Sequence, residues 1–175
     1  MTDTRLAYRS RQFFHALFGP QTNVDVSALR PYLSAAQIVL FRRLQPSEQT
    51  HAVGVLERLK AAGHAEPELL SAALLHDIGK ILSPLALWER VLIVLGRHFF
   101  PAAVRRWGQG TPKGLRHAFV VAEQHPTWGA DLAAQAGASA RTVDLIGRHQ
   151  ESLAGAPISR TERLLAALQQ ADDSD

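Results

Sequence analysis

Apolar residues recur every three or four positions along almost the whole chain, and the alternation that marks a half-buried strand is missing. The pattern predicts an all-α protein. Residues 6–18 form an amphipathic first helix ended by Gly19 and Pro20, and residues 26–44 one or two short helices with a start at Pro31. Pro46 and Ser47 open a helix to about Ala62, closed by Gly63. From Pro67 a helix runs through His76 and Asp77 to Ile78 and stops at Gly79. Residues 84–107 read as one helix or a pair broken at Pro101, followed by a glycine-rich loop at 107–114. A helix over 115–124 ends at His125, because a residue before proline is pushed out of helical geometry, and Pro126 starts another, closed by Gly137. Ser139 caps a helix to about Glu151, 154–157 is a turn, and Thr161 to Asp172 is the last helix.

The apolar stripe also shows where each polar side chain points, since residues three or four apart share a helix face. His51 shares its face with Val55 and Leu59. His76 follows Leu69 and Ala72, while Asp77 follows Leu70 and Ala73. His149 follows Leu145 and Ile146, and Asp172 follows Leu165 and Leu168. Taken singly, each reads as a core residue with a hydrogen-bonded partner. Taken together they need a common partner, because buried charge is tolerated only when paired or bound. A divalent cation meets that need, and nitrogen-rich ligation favours Mn, Fe, Co, Ni or Zn over Mg.

Composition narrows this further. At 175 residues the chain fits one domain, and the absence of cysteine excludes both a disulfide framework and a thiolate metal site. The net charge of +3 is uneven: +4 over residues 1–47, −2 over 48–87, +5 over 88–117 and −4 over 118–175. The basic parts flank the acidic parts that hold most histidines, which argues against a single nucleic-acid-binding face. The N-terminus lacks the apolar core of a signal peptide, and the greasiest run, residues 91–96, is far too short to span a membrane. A cytoplasmic protein is expected.

His51, the doublet His76–Asp77 inside "ALLHDIGK", and Asp172 near the end of the last helix resemble the H…HD…D signature of the HD-domain superfamily of metal-dependent phosphohydrolases. The resemblance covers roughly residues 48–173. It implies an HD-type helical bundle over 48–175, with residues 1–47 as an N-terminal helical extension packed on it in one compact unit. It implies that His51, His76, Asp77 and Asp172 hold a divalent metal, with Asp77 as a bridge where two are bound. "HPTWGADL" at 125–132 and "IGRHQE" at 146–151 resemble segments of the HD-GYP branch, which makes His125 and His149 ligands of a second metal. Lys80 matches a lysine that contacts phosphate. Gln150 stands where that branch has a second histidine, and Gly155–Ala156–Pro157 lacks the tyrosine of its triplet.

The implied activity is hydrolysis of a nucleotide or related small phosphate ester by a metal-activated water, in a narrower version a signalling-nucleotide phosphodiesterase. Asp77 then orients the water, Lys80 or a second metal takes the developing phosphoryl charge, and His117 is a candidate to protonate the leaving oxygen. The rival is a catalytically silent metal- or nucleotide-binding regulatory module. Residues 88–117 admit three readings: a lid that brings positive charge to a phosphorylated substrate, a segment lying on anionic lipid with Phe99, Phe100 and Trp107 as anchors, or a core helix with solvated arginines. The first helix, with Phe13, Phe14, Leu17 and Phe18, docks on the bundle or forms a homodimer contact.

Overall fold

Local caps set most helix starts in the computed structural model, which describes residues 24–153 and 155–174. Eight α-helices and three short 3₁₀ turns account for its regular structure, and no strand occurs among the described residues. Helix α1 (Ala35–Phe41) begins at a capping box, with Gln37 N donating to Ser34 Oγ and Ser34 N to Gln37 Oε1. Helix α2 (Pro46–Ala61) starts on proline, and Glu48 Oε2 accepts from Gln45 N. It ends at Gly63, whose φ of 87° lets His64 N donate back to Leu59 O. Then follow α3 (Pro67–Leu75), a 3₁₀ turn (Ile78–Leu82), α4 (Leu87–Phe99) and α5 (Pro101–Trp107). Helix α6 spans His117–Gln135, α7 spans Ala140–Arg148 and α8 spans Arg160–Asp172. The predicted first helix, 6–18, lies outside the described residues.

Helix α3 occupies the centre. Every residue from Leu69 to Leu75 is buried, because α2, α7 and α8 pack around it. Val55, Leu56 and Leu59 of α2, Leu145 and Ile146 of α7, and Leu165 and Leu168 of α8 complete this core. Each such side chain stabilises the fold by roughly 1.5–3 kcal/mol relative to exposure. Leu29, Leu33, Phe41 and Leu44 belong to the same cluster, so the segment before α2 shares the bundle's core. A smaller cluster of Leu85, Ala118 and Val121, with Leu92, Ile93 and Trp128 against it, joins α4 to α6.

Two expected breaks fall elsewhere. Helix α3 ends at Leu75, not Ile78, and His76 and Asp77 sit in the corner before the 3₁₀ turn. Helix α6 runs unbroken through Pro126, where two helices were expected. Proline at 126 cannot donate to the carbonyl of Ala122, and that carbonyl instead accepts from Arg97 Nη2 of α4 at 3.3 Å. A side chain from another helix thus satisfies the group that a mid-helix proline orphans.

Gly79 does not stop a helix either. It lets the 3₁₀ turn lie against α6: a Cβ there would collide with His125 O and stand 2.8 Å from Gly129 N. Both neighbours are backbone and neither can swing aside. Gly79→Ala is therefore expected to lower stability by about 3 kcal/mol, the upper end of overpacking costs. Urea unfolding beside Gly63→Ala, which strains only a surface cap at about 1 kcal/mol, checks this. Equal midpoints for Gly79→Ala and the unaltered chain would refute the close packing.

Candidate metal centre

Five chain segments bring ionisable side chains to one place. His51 projects from α2, His76 and Asp77 from the corner after α3, and His125 from α6; His149 follows the last turn of α7, and Asp172 ends α8. Because α3 stops at Leu75, the doublet leaves helical spacing and its two side chains face different partners. Arg58 of α2 holds the end of α8 in register by donating from Nε to Ala171 O at 2.7 Å. His76, Asp77, His125 and His149 are buried, while His51 and Asp172 are partly open to solvent.

Three of the histidines are oriented the same way. Nδ1 of His76 donates to Ala73 O at 2.9 Å, that of His125 to Val121 O at 2.9 Å, and that of His149 to Ile146 O at 2.8 Å. A carbonyl only accepts, so Nδ1 carries a proton and each ring, when neutral, turns an Nε2 lone pair inward. Backbone support of this kind is how metal-ligating imidazoles are held. The four rings form a continuous chain: His51 to His76 at 5.3 Å between centroids, His76 to His149 at 5.2 Å, and His149 to His125 at 5.1 Å.

What the lone pairs face is negative. His125 Nε2 stands 3.1 Å from Asp77 Oδ1, and His149 Nε2 4.0 Å from the same oxygen. His76 Nε2 lies 3.6 Å from Asp77 Oδ2 and 3.5 Å from Asp172 Oδ1. The Nε2 atoms of His76 and His149 are buried without a hydrogen-bond partner. Lone pair against carboxylate oxygen is repulsive unless a cation lies between them. The donor set therefore fits a metal. It falls into two groups, His51–His76–Asp172 and Asp77–His125–His149, each with its ligand atoms within 4.8 Å of one another. Asp77 turns Oδ1 to the second group and Oδ2 toward His76, so its carboxylate spans both.

Charge and burial fix the protonation states. Burial opposes ionisation of Asp77, but Lys80, His76 and His125 outweigh it and hold the carboxyl well below its usual range. Lys80 Nζ donates to Asp77 Oδ2 at 2.5 Å. Burial likewise opposes Asp172, and His76 together with the hydrogen bond from His51 Nε2, at 2.8 Å, keeps it ionised. Burial, reinforced by the neighbouring His76 and His125, pushes His149 down to about 3, and burial also lowers His125. His76 moves up: burial is outweighed by Asp77 and Asp172. A proton on His76 and a cation in the pocket answer the same negative potential.

The family model of the HD domain matches residues 49–174. The chain belongs to the HD-domain family. No curated protein and no solved structure matches it. Members of the HD-domain family are generally metal-dependent hydrolases, and both ligand groups lie inside the matched span.

All six expected metal ligands meet at the HD-domain centre, and Lys80 joins them through Asp77. His117 does not. It opens α6, eight residues before His125 and roughly 12 Å away along the helix. Its ring bridges Ser83 Oγ at 2.7 Å and Glu89 Oε1 at 2.5 Å, and it belongs to neither ligand group. Glu48, three residues before His51, is committed to Gln45 N and Arg90. Other residues border the centre without having been expected as its ligands. Gln150 Nε2 donates to His125 Nε2 at 3.4 Å, and Gln150 Oε1 accepts from Arg97 at 3.1 Å. Arg97, Arg105 and Arg148 line a cleft of about 770 Å³ that His149 and Asp172 also line. No periodicity signals these contacts, since they join α4, α5 and α7 across the fold.

The buried imidazoles predict a pH dependence. Unfolded, His149 titrates near 6.5; folded, it titrates at about 3, so the unfolded chain binds the extra proton between these values. Stability of the metal-free protein accordingly falls as pH drops below about 6.5, by roughly 3 kcal/mol from His149 alone at pH 4. His125 adds in the same sense and His76 opposes. Thermal unfolding from pH 7 to 4 should show a shallower decline in His149→Gln; identical slopes in the two proteins would contradict the assignment.

Proposed function

We propose that this HD-domain protein is a metal-dependent phosphohydrolase acting on a nucleotide or related small phosphate ester. One observation carries the reading: buried Nε2 lone pairs, locked by backbone carbonyls, converge on two ionised carboxylates. His51, His76 and Asp172 would hold one divalent ion, and Asp77, His125 and His149 a second, with Asp77 facing both. An ion so held supplies an ionised nucleophile near neutral pH and positive charge for the phosphoryl oxygens.

The chain's own residues supply the rest. Asp77, kept ionised by Lys80, accepts a hydrogen bond from the attacking water and orients it. Lys80 keeps a positive charge at the edge of the centre, where charge develops on the phosphoryl group. Arg97, Arg105 and Arg148 bring positive charge to a cleft that Glu123, Glu151, Asp172 and Asp173 also line, and its volume falls within the range of small-molecule sites. Arg148 is tied to Glu151 and Asp144, and Arg97 to Ala122 O and Gln150, which leaves Arg105 to meet an anionic substrate. A narrower phosphodiesterase activity on a signalling nucleotide draws its support from His125 and His149, which complete the second ligand group.

Purified, metal-analysed protein should hydrolyse members of a panel of nucleotides, cyclic dinucleotides and a generic phosphodiester only with a divalent ion such as Mn or Co. Asp77→Ala should reduce turnover by about 100-fold or more, as expected when an ion loses a shared ligand. Arg105→Gln should raise KM while leaving kcat near its original value, the signature of lost substrate binding. Bound metal without turnover on any substrate would replace the enzyme by a regulatory metal-binding module. Failure to bind metal at all would refute the centre.

A further inference from the structure

Ten large hydrophobic side chains are exposed among the described residues, and eight of them lie between Leu82 and Leu115. On α4, Trp88, Leu92, Leu95 and Phe99 follow one another at spacings of four, three and four, so they share one face. That face opens on an apolar groove of about 610 Å³ between α4, α5 and α6. Phe119 and Gly96 form its floor; Phe99 (64% exposed), Phe100 (62%) and Leu115 (79%) form its rim. Trp107 lines the groove but is half-buried, its ring 5.2 Å from Phe119, and so belongs to the wall and not to the anchoring edge.

Charge selects what covers this surface. Residues 88–117 hold six basic groups and one acidic group, and the acidic one, Glu89, is buried against His117. Arg116 stands on the groove itself, and two further exposed basic residues are Arg106, next in sequence to the groove residue Trp107, and Lys113, two before Leu115. A second copy of the chain would set one such positive face against another. Residues 1–23, with three arginines and one aspartate, are positive as well. Exposed aromatic and aliphatic residues beside exposed arginines and a lysine match the interface of a membrane bearing anionic headgroups. We propose that the α4–α5 hairpin and the loop after it dock on an anionic lipid surface, lying in its interface. No helix among the described residues is long and apolar enough to cross it. The other face of the hairpin carries Arg97 and Arg105 into the cleft at the HD-domain centre, so docking holds the wall that meets substrate.

Lipid docking does not depend on hydrolase activity and is read out without it. The full chain is sedimented with vesicles of phosphatidylcholine alone and with vesicles containing phosphatidylglycerol. Binding is expected only to the second, weakening as salt is raised. Phe99→Ser and Phe100→Ser should each lower the partition coefficient about ten-fold, and Arg106→Glu with Arg116→Glu should lower it further, with circular dichroism unchanged. These side chains are exposed, so the variants fold. Absence of vesicle binding overturns the proposal. So does binding that the phenylalanine variants leave intact, or a dimer that those variants dissolve in a chain that ignores lipid.

Discussion

Imidazole lone pairs that face carboxylates inside a protein are an arrangement that positive charge resolves, as a proton or as a metal ion. The rest of this structure serves to impose it. Backbone carbonyls at Ala73, Val121 and Ile146 take the Nδ1 protons, so the ring orientations are fixed by the backbone and not by the ligands themselves. Burial then keeps His125 and His149 uncharged, while Lys80 and His76 keep Asp77 ionised. Helix α3 delivers the doublet at its end, α6 and α7 deliver the second histidine group, and α2 and α8 close the first.

That demand also explains the two least ordinary pieces of backbone. The 3₁₀ turn must lie close enough to α6 for Asp77 to reach His125, and only glycine at 79 allows the approach. Helix α6 must stay helical through Pro126 so that His125 and Gly129 keep their places. Arg97 makes this tolerable by donating to the orphaned carbonyl of Ala122, and through Gln150 it also touches His125. The α4–α5 hairpin is therefore joined to the centre by hydrogen bonds, while its outer face is apolar and exposed. A membrane at that face and a substrate in the cleft would act on the same pair of helices.

Much of this was legible in the chain. The helical period gave the all-α class, and the capping residues Gly63 and Ser139 marked ends that the structure keeps. His51, His76, Asp77, His125, His149 and Asp172 were found from their places at the ends of apolar stripes and from the resemblance to the HD signature. Pro126 misled, because local sequence predicts a break wherever proline removes a donor, and the donor that replaces it, Arg97, lies 25 residues from the Ala122 carbonyl. At His117 the pattern leaves the partners unseen for a related reason. A shared stripe on α6 says nothing of distance along the helix, nor of Ser83 and Glu89 waiting at its end.

The sequence by itself determined which groups are ionisable, which face inward and where most helices begin, because those properties depend on residue chemistry and spacing within a few turns. Tertiary structure alone decided which lone pair meets which carboxylate, that Asp77 spans two ligand groups, and that Arg97 and Arg105 share a cleft with His149. Those facts depend on distances of a few ångströms between segments far apart in the chain, set by how α3 and α6 pack and not by any local pattern.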